Sequence, residues 1–515
     1  MRPAVADLAV SEPEVEEENP SEGPGPDAQL EEERSTRTMD HWLPASDAVE
    51  GYQMSPQQER LLQQQASAPA AFLASLAVKV SGPVTLSDFL EALAEVTVSQ
   101  EALRTLFLPS TESGRLVQVV AGPAPAVRVV DLRHLAPGDR RRVAEEGVST
   151  EGRRRFDLAR GPSLRVLLFR LEAEEILALF QLPSLCADAS SLNQLFDQIT
   201  AAYASRRPLK PHERPMPYTQ FAAWQRQLLE LPEAEEERLV WRALDLTGTF
   251  PRQLPLLPEA APEGFFSEPY RPQKVSRTLG GEALERLCRG AEELGVSLEV
   301  LLLSAWALVL WRSAEAVPRL ALLKSADGRG GYEELRATLG LFEKFLPLVV
   351  GVESERGFTH LVRQVARRLE EGEAEQEYFD GRFLNSWEVE YPAEGLPVGF
   401  SFEPLEEPRK VGEVRFSIAG LGSLTERFAV RLACQARRNF LRLTLVFDRS
   451  LYRRRLAELL LGRFETALGQ ALADPRRPLA DLPLLSLEER RQLLFELNNR
   501  APGADPSQRL RPVHR

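Results

Sequence analysis

Between Glu175 and Ser205 the hydrophobic period changes partway along, and that switch limits the possible folds more than any other stretch. Ile176 to Leu182 is a short, mostly apolar run without Gly or Pro, a length that suits a buried strand better than a helix. From Ser190 onward Leu192, Leu195, Phe196, Ile199 and Tyr203 recur at spacings of three and four, one apolar stripe on a helix. Between the two lies Pro183-Ser184-Leu185-Cys186-Ala187-Asp188-Ala189. Asp188 suits an N-cap, because a short carboxylate there accepts hydrogen bonds from the first free amides and meets the positive helix end. A strand, a tight loop and a capped helix form a common place to present catalytic groups.

The loop resembles the H-H-x-x-x-D-G-x-S motif of the condensation domains of nonribosomal peptide synthetases. Pro183 and Ser184 occupy the two His positions, Asp188 the Asp, Ala189 the Gly and Ser191 the Ser. In that family the second His is tied to amine attack on a thioester, work that suits an imidazole because its pKa lies near neutrality. A serine hydroxyl cannot do the same at neutral pH without a base of its own. The resemblance therefore implies a degenerate member that lacks the usual catalytic groups. Ser184 and Cys186 remain as residual candidate nucleophiles. Cys186 is the better one intrinsically, but no basic residue adjoins it, so a small buried thiol is the plainer reading.

Further segments resemble the same family in order. Ser55 and Gln58 match the first motif, at a Ser-Pro helix start. A helix is expected from about Leu86 to Val98; Glu101-Ala102-Leu103-Arg104-Thr105-Leu106-Phe107 then matches the second motif from its Glu onward, with Ser99-Gln100 replacing Arg-His. Phe156 to Arg165 leads into a strand at Val166–Leu171; the resemblance implies that Arg165 pairs with Asp188, which makes both residues structural. Tyr218-Thr219-Gln220-Phe221-Ala222-Ala223-Trp224-Gln225 is similar to Y-x-D-F-A-x-W-Q and marks the expected lobe boundary. Leu298 to Ser313 is apolar nearly all round and should be a helix sheltered on every side. Leu339-Gly340-Leu341-Phe342-Glu343-Lys344-Phe345-Leu346-Pro347-Leu348 resembles I-G-x-F-V-N-T-L-P-L, the segment under the family's tunnel. Gly340, Phe342, Glu343, Lys344 and Phe345 are thus tunnel-floor candidates, and the Glu-Lys-Phe exchange is expected to narrow the passage. Leu482-Pro483-Leu484-Leu485-Ser486-Leu487-Glu488-Glu489-Arg490 is similar to the linker that precedes an adenylation domain, and the chain reads as the first domain of a larger synthetase, cut at that linker.

A chain of 515 residues exceeds what one hydrophobic core usually serves. The net charge of −13 disfavours nucleic acid, and residues 1–40 hold 12 acidic and 3 basic side chains, so −9 lies there and −4 in the remainder. Three widely spaced cysteines point to a reducing cytoplasm with neither a disulfide framework nor a zinc site. No apolar run reaches membrane-spanning length. The five histidines show no metal-ligand spacing. Gly328-Arg329-Gly330-Gly331 reads as a turn without a phosphate-binding fingerprint. Arg140–Arg142, Arg153–Arg155 and Arg453–Arg455 read as solvated helix faces, with a grip on a carrier's phosphopantetheine phosphate as the alternative.

The resulting expectation is an α/β fold of two lobes, each like chloramphenicol acetyltransferase, in a V-shaped pseudo-dimer. Residues 1–45 form a disordered acidic tail, 46–225 the N-terminal lobe, 226–485 the C-terminal lobe and 486–515 the linker. The leading function is a catalytically inactive N-terminal condensation-like domain that serves as a structural or recruitment platform. The alternative is an active acyltransferase that forms an amide or ester from carrier-bound thioesters without the His. Partners implied are a downstream adenylation domain and a carrier protein or tailoring enzyme, with no nucleic acid or membrane. No cofactor is implied for the domain, only phosphopantetheine on partner carriers.

Overall fold

The structure, a computed structural model, describes residues 51–491 apart from 66–67, 69, 112, 208–212, 245, 247–248, 251–268, 314–317, 381–395 and 487–488. The acidic tail expected at 1–45 and most of the linker expected at 486–515 lie outside the described residues.

The first half of the chain runs α1 (Pro56–Gln65), β1 (Leu73–Ser81), α2 (Leu86–Ser99), β2 (Thr105–Pro109), β3 (Leu116–Val120), β4 (Ala126–Asp131), α3 (Pro137–Gly152), β5 (Arg165–Glu172), β6 (Glu175–Pro183) and α4 (Ala189–Ser205). Three helices follow, α5 (Tyr218–Glu230), α6 (Glu233–Glu237) and α7 (Leu239–Arg242). The second half runs β7 (Pro272–Leu279), α8 (Gly281–Leu294), α9 (Leu298–Ser313), β8 (Arg319–Asp327), β9 (Glu343–Gly351), α10 (Phe358–Ala374) and β10 (Leu396–Pro404). It continues with β11 (Arg409–Val411), β12 (Val414–Ser423), β13 (Phe428–Arg437), β14 (Phe440–Asp448) and α11 (Arg454–Ala473).

These elements form two six-stranded sheets, ordered β11-β12-β1-β6-β5-β4 and β7-β14-β13-β10-β8-β9, with β2 and β3 as a separate pair. Helices cover each sheet, so the chain is an α/β protein of two lobes, each with its own core. The second core centres on α9, in which twelve of the sixteen residues are buried; a helix apolar on every face finds shelter only inside a lobe. Gly295 ends α8 in the left-handed region (φ 70°), a conformation a side chain resists, and this lets α9 start after three residues.

The first sheet reaches across the boundary expected near Tyr218. β11 and β12, which fall within 226–485, pair with that sheet: β12 runs antiparallel to β1, from Ala74 opposite Ser423 to Ser81 opposite Arg415. Leu335, Leu339, Leu341 and Phe342 also pack into the first lobe's core. The crossing back at Leu424–Arg427 is held by a fully buried ion pair between Arg427 and Asp448 at 2.9 Å. Arg60 meets Glu426 beside it at 2.6 Å, and a strand swap of this kind ties the lobes together with backbone hydrogen bonds.

Candidate functional site

The loop after β6 sits between the lobes. β6 is buried from Ile176 to Pro183 because it lies mid-sheet between β1 and β5. Asp188 caps α4 as its sequence position implies: Oδ1 accepts the Ser191 amide at 2.7 Å. Its second oxygen does something the sequence did not reveal. Oδ2 accepts the amides of Phe342 (2.7 Å) and Glu343 (2.9 Å), at the start of β9 in the other lobe. The Asp188 amide donates to the Gly340 carbonyl, and Ser191 Oγ donates to the same carbonyl at 2.6 Å. Asp188 and Ser191 therefore form a clasp between the two halves of the chain.

The Arg165 pairing expected for Asp188 does not form. Arg165 lies on β5 against Glu151 at 3.3 Å, under the ring of Phe156, and donates to the Arg154 carbonyl. Burial brings its guanidinium down to about 10, with Glu151 opposing that shift. The cation that faces Asp188 is Arg329, from the glycine-rich turn read as an unremarkable connection. It is buried, stacks on Phe342 at 4.0 Å, and donates to Ser191 Oγ (2.8 Å), the Thr338 carbonyl (2.9 Å) and Asp327 (2.8 Å). A buried carboxylate needs such a counter-charge, and the cation came from the lobe that Asp188 grips rather than from its own sheet.

Motif residues far apart in sequence converge on this loop. Gln58 donates to the Leu185 carbonyl at 2.9 Å, which fixes the loop from α1. Tyr218 shares a hydrogen bond with Ser55 at 2.9 Å and donates to the Leu341 carbonyl at 2.6 Å. Its ring occupies the space over Gly340, where an added Cβ would lie 1.9 Å from a ring carbon, so only glycine fits. Gln100 donates to the Ala337 carbonyl and accepts the Leu339 amide.

Pro183 and Ser184, which align with the two His of the motif, are enclosed, as is Cys186. Ser184 is 1% exposed, and its hydroxyl meets no hydrogen-bond partner among the described residues. Cys186 is 2% exposed, and burial pushes its thiol up to about 12, so no thiolate forms near neutral pH. Pro183 closes β6, and Ala189 opens α4.

Of the tunnel-floor candidates, Gly340 and Phe342 precede β9, and Glu343, Lys344 and Phe345 open it; β9 is a buried edge strand. Phe345 packs its ring on Phe428 at 4.8 Å. Burial brings Lys344 down to about 8 while it donates to the Gln376 carbonyl. Glu343 accepts from Thr425; burial pushes its carboxyl up to about 7, against the attraction of Arg431. Glu403, bonded to Asn193 at 2.5 Å, is raised well above the ordinary range, again mainly by burial. Glu343 and Glu403, both half-buried, lie on strands sixty residues apart, so no local sequence signal groups them. No group of three or more His, Cys, Asp or Glu side chains able to hold a metal ion occurs among the described residues. Among the same residues no single helix is long and apolar enough to cross a membrane.

The family model of the condensation domain matches residues 49–494. A linear gramicidin synthase of Brevibacillus parabrevis is 26% identical over 462 residues, which is 87% of this chain and 6% of that protein. The chain thus spans only a small part of such a relative. The fold matches the first condensation domain of the calcium-dependent antibiotic synthetase, in complex with a substrate analogue, at TM-score 0.71 and 18% identity, over 85% of this chain and 100% of that one. It also matches the structure of the X-domain and OxyB from teicoplanin biosynthesis at TM-score 0.66 and 21% identity, over 86% and 99% of the two chains.

Proposed function

This chain belongs to the condensation-domain family, and we propose that it serves a peptide synthetase as a structural or recruitment platform rather than as the catalyst of bond formation. One observation carries this reading: Ser184, in the position of the family's second His, is buried with no partner among the described residues that could accept its proton. Attack by an amine requires that proton transfer, and general catalysis of it contributes about 10²–10⁴-fold. Cys186 offers no replacement, since its thiol stays protonated. On this reading the Glu343-Lys344-Phe345 exchange narrows the passage in which a carrier arm would lie.

The partners follow from the same reading. The Leu482–Arg490 segment resembles the linker to an adenylation domain, so that domain is the first neighbour. Carriers bring phosphopantetheine; this domain holds no cofactor. The X-domain solved in complex with OxyB is a protein of this fold bound to another protein, which supports recruitment of a partner, such as a tailoring enzyme, as a use for this platform. The protein works in the cytoplasm, with lobes spanning about 46–225 and 226–485 apart from the β11–β12 exchange.

The test is to supply the isolated domain with carrier-loaded donor and acceptor, and to assay the whole synthetase with Ser184→Ala, Cys186→Ala or the domain deleted. We expect no product from the isolated domain and unchanged product from either variant. Deletion should lower solubility, adenylation or partner binding. Condensed product that either point variant abolishes would overturn the platform.

One observation favours a second reading, an active condensation domain. Glu343 adjoins the Asp188 clasp, and its carboxyl, raised to about 7, could exchange a proton near neutrality. Product from the isolated domain that Glu343→Gln abolishes and Ser184→Ala spares would establish that role.

A further inference from the structure

A cavity of about 400 Å³ opens at the seam between the lobes, with one wall from β12 of the first sheet and the other from the β13–β14 hairpin of the second. It is separate from the loop site. Its β12 wall runs from Leu421, opposite Leu76, to Arg415, opposite Ser81, whereas the loop begins where Leu73 meets Pro183. At about 3.4 Å per residue the cavity lies roughly 10 to 27 Å along β1 from that point.

Its chemistry is that of an anion receptor with an apolar side. Arg415, Arg437 and Arg442 line it, against the single carboxylate of Glu407, whose Oε1 already accepts the Arg438 amide at 2.8 Å. Arg437 and Arg442 bracket the Phe440 ring, with guanidinium carbons 5.1 and 5.0 Å from its centre. Arg437 Nη1 is buried without a hydrogen-bond partner among the described residues, a donor left unmet at a cost that a bound acceptor would remove. Arg415 enters no ion pair among the described residues. Leu405 and Ile418 supply buried apolar wall. The walls are fixed relative to one another, since Gln435 on β13 donates to the Leu421 carbonyl on β12 at 2.8 Å.

We propose that this seam cavity binds a small organic anion, a carboxylate or phosphate monoester with an apolar body. The guanidinium groups take the charged head through paired N–H donors, and Phe440 with the aliphatic walls takes the body. Because its walls come from both sheets, the ligand also braces the lobes, and unfolding shifts to higher temperature as it binds. Binding here is independent of the chemistry at the Pro183–Ser184 loop.

The test uses isothermal titration of the full chain with phenyl phosphate, phenylacetate, inorganic phosphate and 2-phenylethanol, each to about 10 mM. Phenyl phosphate or phenylacetate should bind at one site and raise the melting temperature, and the tighter of the two identifies the head group. Inorganic phosphate and the neutral alcohol should each bind at least tenfold more weakly. Arg437→Gln and Arg442→Gln should each weaken the preferred anion about tenfold, equivalent to about 1.4 kcal/mol. Arg449→Gln, an exposed arginine at the other end of β14, should leave it unchanged. If an inner variant fails to fold, Arg415→Gln on the exposed rim carries the same comparison. No binding of either aromatic anion, equal binding of the alcohol or of inorganic phosphate, or affinity indifferent to all three cavity arginines would overturn the assignment.

Discussion

Asp188 and Arg329 face each other at 3.8 Å, carboxylate oxygen to guanidinium nitrogen, with both side chains almost wholly inside the protein. One comes from the loop that begins α4 and the other from the turn after β8, so the contact joins the two halves of the chain.

Removing the carboxylate takes the opposite charge away from the buried Arg329, which keeps only the neutral Ser191 hydroxyl across the lobes, and frees two amides at the β9 start. Asp188→Ala should therefore cost about 3–5 kcal/mol in urea unfolding. A double-mutant cycle between Asp188→Ala and Arg329→Ala should give a clear coupling energy. The same cycle with Arg165→Ala should be additive to within about 0.5 kcal/mol, because Arg165 is engaged with Glu151. Coupling to Arg165 in place of Arg329 would refute the contact.

Gly340 admits no side chain under Tyr218. Gly340→Ala should destabilise by at least about 1–3 kcal/mol through overpacking, read as a lowered denaturation midpoint. Tyr218→Leu in the Gly340→Ala background should recover part of that loss, whereas Tyr218→Leu alone should destabilise.

Glu343 carries a carboxyl whose pKa rises from an ordinary 4.5 to about 7 in the folded protein. The folded state therefore holds its proton more tightly than the unfolded state, so this group lowers stability as pH rises from about 4.5 to 7. Over that window the loss is about 3 kcal/mol at about 1.4 kcal/mol per pKa unit. Glu343→Gln should flatten the decline and stabilise the protein at pH 7.5 but not at pH 4.5. Melting curves across pH that stay parallel for wild type and variant would rule this out.

Ser184→Ala removes a buried hydroxyl that has no partner among the described residues. An unsatisfied buried polar group costs about 1–3 kcal/mol, so the variant should be as stable as wild type or more so. Clear destabilisation would mean that the hydroxyl has a partner. Cys186 should react with a thiol reagent only at the rate of unfolding, and rapid labelling of the native protein at pH 8 would contradict its burial.

Much of the local structure is written in consecutive residues. The period change from Ile176–Leu182 to Leu192–Tyr203 marks β6 and α4, and Asp188 declares the cap between them. The all-round apolarity of Leu298–Ser313 marks α9 with its observed limits. The missing imidazoles at Pro183 and Ser184 are plain from the residues themselves. These signals are legible because a strand or helix imposes a fixed repeat on its own neighbours, and a cap acts within three residues.

The contacts that position the site are of another kind. Nothing local in Gly328-Arg329-Gly330-Gly331 distinguishes a solvated turn from a buried cation beneath Asp188. Nothing in Val414–Ser423 announces that it leaves its own half to pair with β1. The linear order of residues carries the elements, their succession and the absence of an imidazole at the loop. Packing in three dimensions selects which arginine meets Asp188, gathers Glu343 and Glu403, and opens a cavity lined by three arginines at the seam. The reason is physical: periodicity is set by backbone geometry within a segment, whereas a buried charge is matched by whichever opposite charge packing brings within reach across segments more than a hundred residues apart.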